Sequence, residues 1–187
     1  MDIERLIYSI SELERLKTVE RGLNVGNRKE STAEHSWSCM LLGDILIDLV
    51  DEPLDRLKVM EFLLYHDLVE VYAGDAKFNN IEELKVKKEK EDMAMQQILS
   101  FIPNAQRYSD IISDYESKKS REAKFAKAID CLDSCIRNLN DNSPRMDNGF
   151  SEELIRNKYT KHVSEFDLLL DLFEKVMYKL KKSGKFG

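Results

Sequence analysis

The chain has 187 residues, of which 42% are hydrophobic and 34% are charged, with a formal net charge of −6. This length and apolar content are enough for one sizeable core, so we expect a single domain over residues 1–187. Acidic and basic residues are interleaved, which argues against nucleic acid or an anionic membrane as the main partner. No window reaches the roughly 18 consecutive apolar residues of a membrane span, and the charged start does not resemble a signal peptide. We therefore expect a soluble, cytoplasmic protein.

Helical periodicity dominates the sequence, which has only seven glycines and three prolines and lacks alternating runs typical of strands. The predicted class is therefore all-α, a globule of about seven or eight helices. In chain order, helices are predicted at about residues 2–18, 31–50, 54–72, 81–101, 107–117, 120–139 and 151–182. Two segments are predicted as loops, RGLNVGNRKES at residues 21–31 and NDNSPRMDNGF at residues 140–150.

Local signals refine this picture at several positions. Ser31 and Glu34 have the spacing of a capping box at the start of the second helix. Pro53 is expected to open the third helix, because proline is tolerated in a first turn. Trp37, the single tryptophan, is expected to pack in the core. The three cysteines are expected to be reduced, packed thiols without chemistry: Cys39, Cys131 and Cys135.

The stretch LLYHDLVEVYAGDA, residues 63–76, combines one histidine and three carboxylates with apolar neighbours. On a helix, His66 and Glu70 would share a face, and Asp67 would be turned by about 100° from His66. A carboxylate among apolar side chains loses its hydration, which is costly unless a counter-charge is present. A bound cation would supply that charge; a buried ion pair or a core histidine is the alternative.

Two further segments offer groups of the same kind. His35 lies on an inward-facing stripe of the second helix, whereas His162 is expected at the surface. Asp130 and Asp133 lie among apolar residues of a later helix. Two imidazoles and two aspartates describe a site for one divalent cation, which could be Mn, Co, Mg, Fe or Zn. A cation with an open coordination position activates water and polarises a phosphoryl oxygen, so the site suits hydrolysis.

Three strings resemble one family in their order and spacing. They are R-x-E-x-x-x-E-H at Arg28, Glu30, Glu34 and His35, then YHDLVEVYAGD, then DYESKKSREAKFAKAIDCLD. Over about residues 10–140, the chain resembles the HD-domain phosphohydrolases. The resemblance is to the branch that contains the bacterial 5′-deoxynucleotidases and their eukaryotic relatives.

The resemblance implies roles for particular residues. The implied metal ligands are His35, His66, Asp67 and Asp130. Asp133 then becomes a supporting acid. Glu70 and Asp75 match the catalytic carboxylates of the family. Glu70 would orient or deprotonate the attacking water and Asp75 would protonate the leaving oxygen or hold the sugar, and their division of labour stays open. Arg21 matches an arginine that contacts the substrate phosphate.

The implied activity is metal-dependent removal of phosphate from nucleoside or deoxynucleoside 5′-monophosphates by attack of a metal-bound water, commonly in a homodimer. Another HD phosphoesterase activity, on a phosphodiester or a triphosphate, and a non-catalytic, metal-stabilised nucleotide-binding module are the alternatives. The two-metal phosphodiesterases of the same superfamily need additional histidines between the His-Asp pair and the last aspartate. Residues 68–129 contain no histidine, so this activity is disfavoured. Gly22 replaces a tryptophan that crowds the ribose 2′-hydroxyl in the bacterial deoxynucleotidases, so the sugar preference stays open.

Overall fold

The computed structural model describes residues 2–76, 81–141 and 151–186. These ranges contain eight α-helices of ten residues or more, a single-turn helix and one two-stranded sheet, so the predicted all-α class is confirmed. The helices are α1 Ile3–Glu14, α2 Thr32–Leu46, α3 Arg56–Tyr65, α4 Glu70–Ala73, α5 Ile81–Phe101, α6 Ala105–Ser117, α7 Arg121–Asn140, α8 Glu152–Val163 and α9 Asp167–Lys182. Among the described residues, no helix combines the length and the apolar character that a membrane crossing needs.

A β-hairpin occupies most of the segment that was predicted as a loop at residues 21–31. Strand β1, Glu20–Val25, pairs antiparallel with β2, Arg28–Ser31, and Val25 lies opposite Arg28. The turn between them contains Gly26, whose φ of 63° lies in the left-handed region that glycine adopts without strain. The prediction was wrong because these short strands are rich in polar residues and contain Gly22, which hides the usual alternation.

The starts of two helices test the capping signals. The capping box at Ser31 and Glu34 is confirmed and begins α2 at Thr32. Pro53 does not open the third helix, as had been predicted. Asp55 is the N-cap instead, because its side chain accepts a hydrogen bond from the backbone N–H of Lys58 at 3.2 Å.

Several predicted helices end earlier than expected. The regular α-helix of α1 gives way to a 3-10 turn at Arg15–Thr18, and α2 is followed by another at Ile47–Leu49. The helix predicted at residues 151–182 is two helices, α8 and α9. The chain extends at Phe166, which is buried, so both helices can pack against α7. Of the loop predicted at residues 140–150, residues 142–150 lie outside the described ranges.

The central helix α7 organises the core. It packs against α2, α3, α6, α8 and α9, and its side chains Phe125, Ile129 and Leu132 are fully buried. Cys131 and Cys135 lie on the same helix, and they are buried free thiols, as is Cys39 of α2. Residues of α7 that face α2 and α3 are therefore held on a rigid element.

Trp37 is not in the core, contrary to the sequence prediction. Four large apolar side chains spaced four residues apart point outward from α2 and the turn after it. Their exposed fractions are 65% for Trp37, 48% for Leu41, 57% for Ile45 and 58% for Leu49. We call these four residues the outer α2 face. A contiguous apolar face of this kind is typical of an interaction surface.

Two serines of the α2 region make a matched pair for a stability test. Ser31→Ala removes the N-cap acceptor and should lower the free energy of unfolding by about 1 kcal/mol. Ser36→Ala removes a hydroxyl that is buried without a hydrogen-bond partner among the described residues, so it should leave stability unchanged or raise it. Urea unfolding followed by circular dichroism measures both. Equal losses in the two variants would contradict the capping role of Ser31.

Candidate metal centre and active site

Three segments bring the predicted site residues together. His35 lies one turn into α2, behind the capping box, and is fully buried. Asp130 lies on α7, which packs against α2. His66 and Asp67 lie in a turn at residues 66–69 that separates α3 from α4, where a continuous helix had been predicted. Hydrogen bonds between residues three apart, and not four as in an α-helix, hold this turn. The N–H of Glu70, for example, donates to the carbonyl of Asp67 at 3.0 Å.

Hydrogen bonds orient both imidazole rings in the same way. The Nδ1–H of His35 donates to Asp133 Oδ2 at 2.9 Å. The Nδ1–H of His66 donates to the carbonyl oxygen of Leu63 at 3.0 Å. We assign these tautomers from the partners, and each leaves Nε2 as the lone-pair nitrogen. Asp133 is itself fixed by the hydroxyl of Ser38, which donates to Oδ1 at 2.5 Å.

The two Nε2 atoms meet two carboxylate oxygens. His35 Nε2 lies 3.4 Å from His66 Nε2, 3.1 Å from Asp130 Oδ1 and 3.7 Å from Asp67 Oδ2. Asp67 Oδ2 lies 3.2 Å from His66 Nε2. Ligands that bind one ion at about 2.1 Å are separated by distances of this order. The structure therefore brings His35, His66, Asp67 and Asp130 together in one cluster.

The donor atoms of this cluster fit a divalent cation. Imidazole nitrogen and carboxylate oxygen both bind first-row divalent metals, and each histidine already has the second hydrogen bond that metal-ligating histidines usually make. Cys39 lies beside the cluster, with Sγ 3.6 Å from both ring nitrogens of His35. Burial raises the pKa of the Cys39 thiol to about 12, so the imidazoles and carboxylates are the better ligands.

The carboxyl groups of Asp67 and Asp130 ionise more readily than ordinary aspartates. Burial alone would raise their pKa values, but interactions with neighbouring side chains reverse that effect. The pKa of Asp67 is lowered chiefly by His66, and that of Asp130 chiefly by Lys127. Both groups are therefore anionic over the physiological pH range, as ligands of a cation must be.

Glu70 and Asp75 lie next to the cluster and behave differently. Glu70 is buried at the first residue of α4, and Thr32 Oγ1 donates to its Oε2 at 2.8 Å. Burial, followed by the charges of Asp67 and Asp75, raises the pKa of Glu70 well above its ordinary value. Asp75 follows Gly74 at the end of α4, as the sequence indicated, and burial likewise raises its pKa.

Open space adjoins Asp75. A cavity of about 210 Å³ is lined by Ala73, Gly74, Asp75, Ala76, Lys87, Lys90 and Glu91. Lys87, on the charged side of α5, is partly buried. Its ammonium pairs with Glu91 at 3.3 Å, and its positive charge also acts on Asp75, Asp67 and Glu70.

Arg21 reaches the cluster from the hairpin. Its Nη1 donates to Asp67 Oδ2 at 3.2 Å, and its Nε lies 3.6 Å from Glu30 Oε2. Glu30 is fully buried and also accepts from Nε of Arg137 on α7 at 3.0 Å. Burial lowers the pKa of Arg21, but the negative charges of Asp67, Asp75 and the other carboxylates raise it by more. Arg21 therefore stays cationic.

Sequence reasoning missed several neighbours of the cluster. Lys127 of α7 contacts Asp130 at 2.6 Å between Nζ and Oδ2, and its position three residues before Asp130 was a usable signal. The ring of Tyr115 lies 5.7 Å from that of His66, and nothing in its local sequence indicated this. His162 is partly buried on α8 and is not among the clustered groups.

Comparison with known proteins identifies the family of the chain. The HD domain family matches residues 13–169. The chain is 29% identical over 129 residues to the human protein named 5′-deoxynucleotidase HDDC2, and 28% identical to the mouse protein of that name. Each alignment covers 67% of this chain and 60% or 61% of the relative. The chain thus spans less than two thirds of the length of these relatives.

Solved structures share the fold at low sequence identity. A structure described as a predicted metal-dependent phosphohydrolase from Magnetospirillum magnetotacticum has a TM-score of 0.86 at 23% identity, covering 99% of this chain and 98% of that one. An HD-domain phosphohydrolase from Listeria innocua has a TM-score of 0.66 at 18% identity, covering 96% of each chain. The single-domain boundaries stay a prediction. With the family match spanning most of its length, the chain belongs to the HD domain family.

Proposed function

We propose that the protein is a metal-dependent phosphohydrolase that removes phosphate from nucleoside 5′-monophosphates, with ribose or deoxyribose. The observation that carries this proposal is the convergence of His35 and His66 Nε2 with Asp67 and Asp130, beside the buried Glu70. The names of the HDDC2 relatives support the substrate class. A Cβ placed on Gly22 would meet no atom within 4 Å, so the space beside this residue is open. The preference for ribose or deoxyribose is therefore tested with both sugars below.

The four groups of the cluster would hold one divalent cation: Mn, Co, Mg, Fe or Zn. When bound, such a cation supplies a Lewis acid that polarises a phosphoryl oxygen and lowers the pKa of a coordinated water. Asp133 supports the site by accepting the Nδ1–H of His35, which keeps Nε2 directed at the cluster.

Three side chains would act on the substrate. Arg21 donates hydrogen bonds to a phosphate oxygen, and Glu30 holds its guanidinium in place. Glu70 orients or deprotonates the attacking water, with Thr32 fixing one of its oxygens. Asp75 either protonates the leaving oxygen or holds the sugar; its raised pKa favours the protonated form that an acid needs.

Phosphate release from a nucleotide panel tests the function. Chelator-stripped protein, with each candidate metal added back, should release phosphate from ribo- and deoxyribonucleoside 5′-monophosphates. Glu70→Gln should lower the rate by about 100-fold or more, because a positioned general base contributes that much. Glu61→Gln is the matched control, since Glu61 pairs with Arg107 on the outside of α3. If no phosphate is released with any of the metals and any of the nucleotides, the proposal moves to another phosphoester or to a binding module.

Metal affinity tests the assignment of the ligands. Calorimetric titration with Mn²⁺ should show no measurable site in His66→Ala or Asp130→Ala. Asp133→Ala should weaken binding by about 10- to 100-fold, since it removes only the orienting partner of His35. Asp114→Ala, which removes a carboxylate paired with Lys58 at 2.8 Å, is the control. Wild-type affinity in Asp133→Ala would contradict the orienting role.

We propose further that the protein is a cytoplasmic homodimer in which the outer α2 faces of two copies pack together. A twofold axis brings the same four apolar side chains from both copies into one interface. Arg56 bridges Asp44 and Asp48 beside this face, which reduces repulsion between the copies. The three buried free cysteines support the cytoplasmic part of the proposal, because free thiols are typical of a reducing compartment.

Light scattering tests the dimer. The wild type should have twice the 21.8 kDa mass of the chain, and Leu41→Glu should have the mass of one chain with unchanged helicity, because a charge in an apolar interface loses its hydration. Met93→Glu is the control, since Met93 is exposed on α5, outside the outer α2 face. A wild-type monomer, or a dimer that survives Leu41→Glu, would contradict this interface.

A further inference from the structure

Asp130 divides its two carboxylate oxygens between two partners. Oδ1 lies 3.1 Å from His35 Nε2, inside the cluster, and Oδ2 accepts from Lys127 Nζ at 2.6 Å. An ammonium has three N–H donors. Among the described residues, Asp130 is the one hydrogen-bond acceptor found for this group. The Lys127 side chain is 28% exposed, so part of it reaches the surface beside the cluster.

Tyr115 of α6 brings a second unused donor to the same place. Its ring lies beside that of His66, and its buried hydroxyl has no hydrogen-bond partner in the part of the chain that the structure describes. Buried hydroxyl groups are nearly always satisfied, so a ligand or a water is expected at this one. Burial raises the pKa of Tyr115, and the charge of Lys127 opposes that rise.

The chemistry of these donors selects the kind of ligand. At neutral pH an ordinary lysine is cationic and an ordinary tyrosine is a neutral phenol. A metal ion is therefore a poor partner for this pair, because the ammonium repels it. An acceptor with negative charge is a good one, and charge-assisted hydrogen bonds to a phosphate oxygen are among the strongest available.

We propose that the Tyr115 hydroxyl and the Lys127 ammonium donate hydrogen bonds to oxygens of the substrate phosphate. This inference rests on the proposed phosphohydrolase function and extends it, because it adds binding residues on α6 and α7 to Arg21 on β1. The phosphate would then be held from two sides of the cluster. A lysine that only steadies Asp130 and a tyrosine that only packs would make no such contact.

Binding of inorganic phosphate to protein saturated with Mn²⁺ tests the inference. Tyr115→Phe and Lys127→Met should each weaken phosphate binding by about tenfold or more, as expected for hydrogen bonds to a charged group. Tyr115→Phe should leave the melting temperature of the ligand-free protein unchanged or raise it, since it deletes an unpaired hydroxyl. The matched controls are Tyr108→Phe on α6 and Lys124→Met on α7, where Lys124 pairs with Glu165.

Several outcomes would overturn the inference. Wild-type phosphate affinity in Tyr115→Phe, or the absence of phosphate binding by the wild type, would reject it. A Lys127→Met variant that loses Mn²⁺ affinity and keeps phosphate affinity would reduce Lys127 to a positioning residue for Asp130. Nucleotide hydrolysis, assayed in parallel, separates the two proposals. An inactive wild type whose phosphate binding depends on both residues would reject the 5′-nucleotidase function and support the inference.

Discussion

The buried imidazole of His35 is the link on which the site depends. It joins α2 to α7, because Nδ1 donates to Asp133 while Nε2 faces Asp130, one turn earlier on the same helix. Removing an imidazole and an aspartate from water costs free energy unless each makes a hydrogen bond or an ion pair. The pairing therefore fixes the rotation of both helices about their axes. With α2 and α7 locked in this way, the turn after α3 can deliver His66 and Asp67 to one point.

Environment divides the carboxylates around this point into two kinds. Asp67 and Asp130 lie against positive charge and have lowered pKa values, whereas Glu70 and Asp75 are dominated by burial and have raised ones. Pairs of carboxyl groups with separated pKa values are typical of sites that need both permanent anions and proton carriers. The pKa values of the carboxyl groups in this protein are thus separated by what surrounds each of them.

The sequence predicted which side chains meet in the cluster better than it predicted the chain path. Helical spacing and the capping box at Ser31 were sufficient to predict that His35 faces inward. The apolar neighbours of His66 and Asp67 indicated that this pair lies at a buried site. Periodicity does not reveal where a helix is interrupted, so the turn at residues 66–69 was missed. Trp37 was assigned to the core because hydrophobicity alone does not distinguish a buried side chain from an exposed apolar face. Lys127 and Tyr115 were missed because a lysine near an aspartate and a tyrosine in a helix are both commonplace.

The hairpin, which looks like a loop in the sequence, brings the guanidinium of Arg21 to the site. Two-stranded hairpins are marginally stable alone. Here Glu30 of β2 is fully buried and lies between Arg21 of β1 and Arg137 of α7. The N–H of Thr32 also donates to the carbonyl of Val19 at 2.9 Å, which closes the base of the hairpin against α2. A buried carboxylate cannot release its partners cheaply, so the ion pair with Glu30, 3.6 Å between Nε and Oε2, helps to keep Arg21 beside Asp67. In the proposed function, this orientation reduces the conformational entropy that Arg21 would lose on contact with the substrate phosphate.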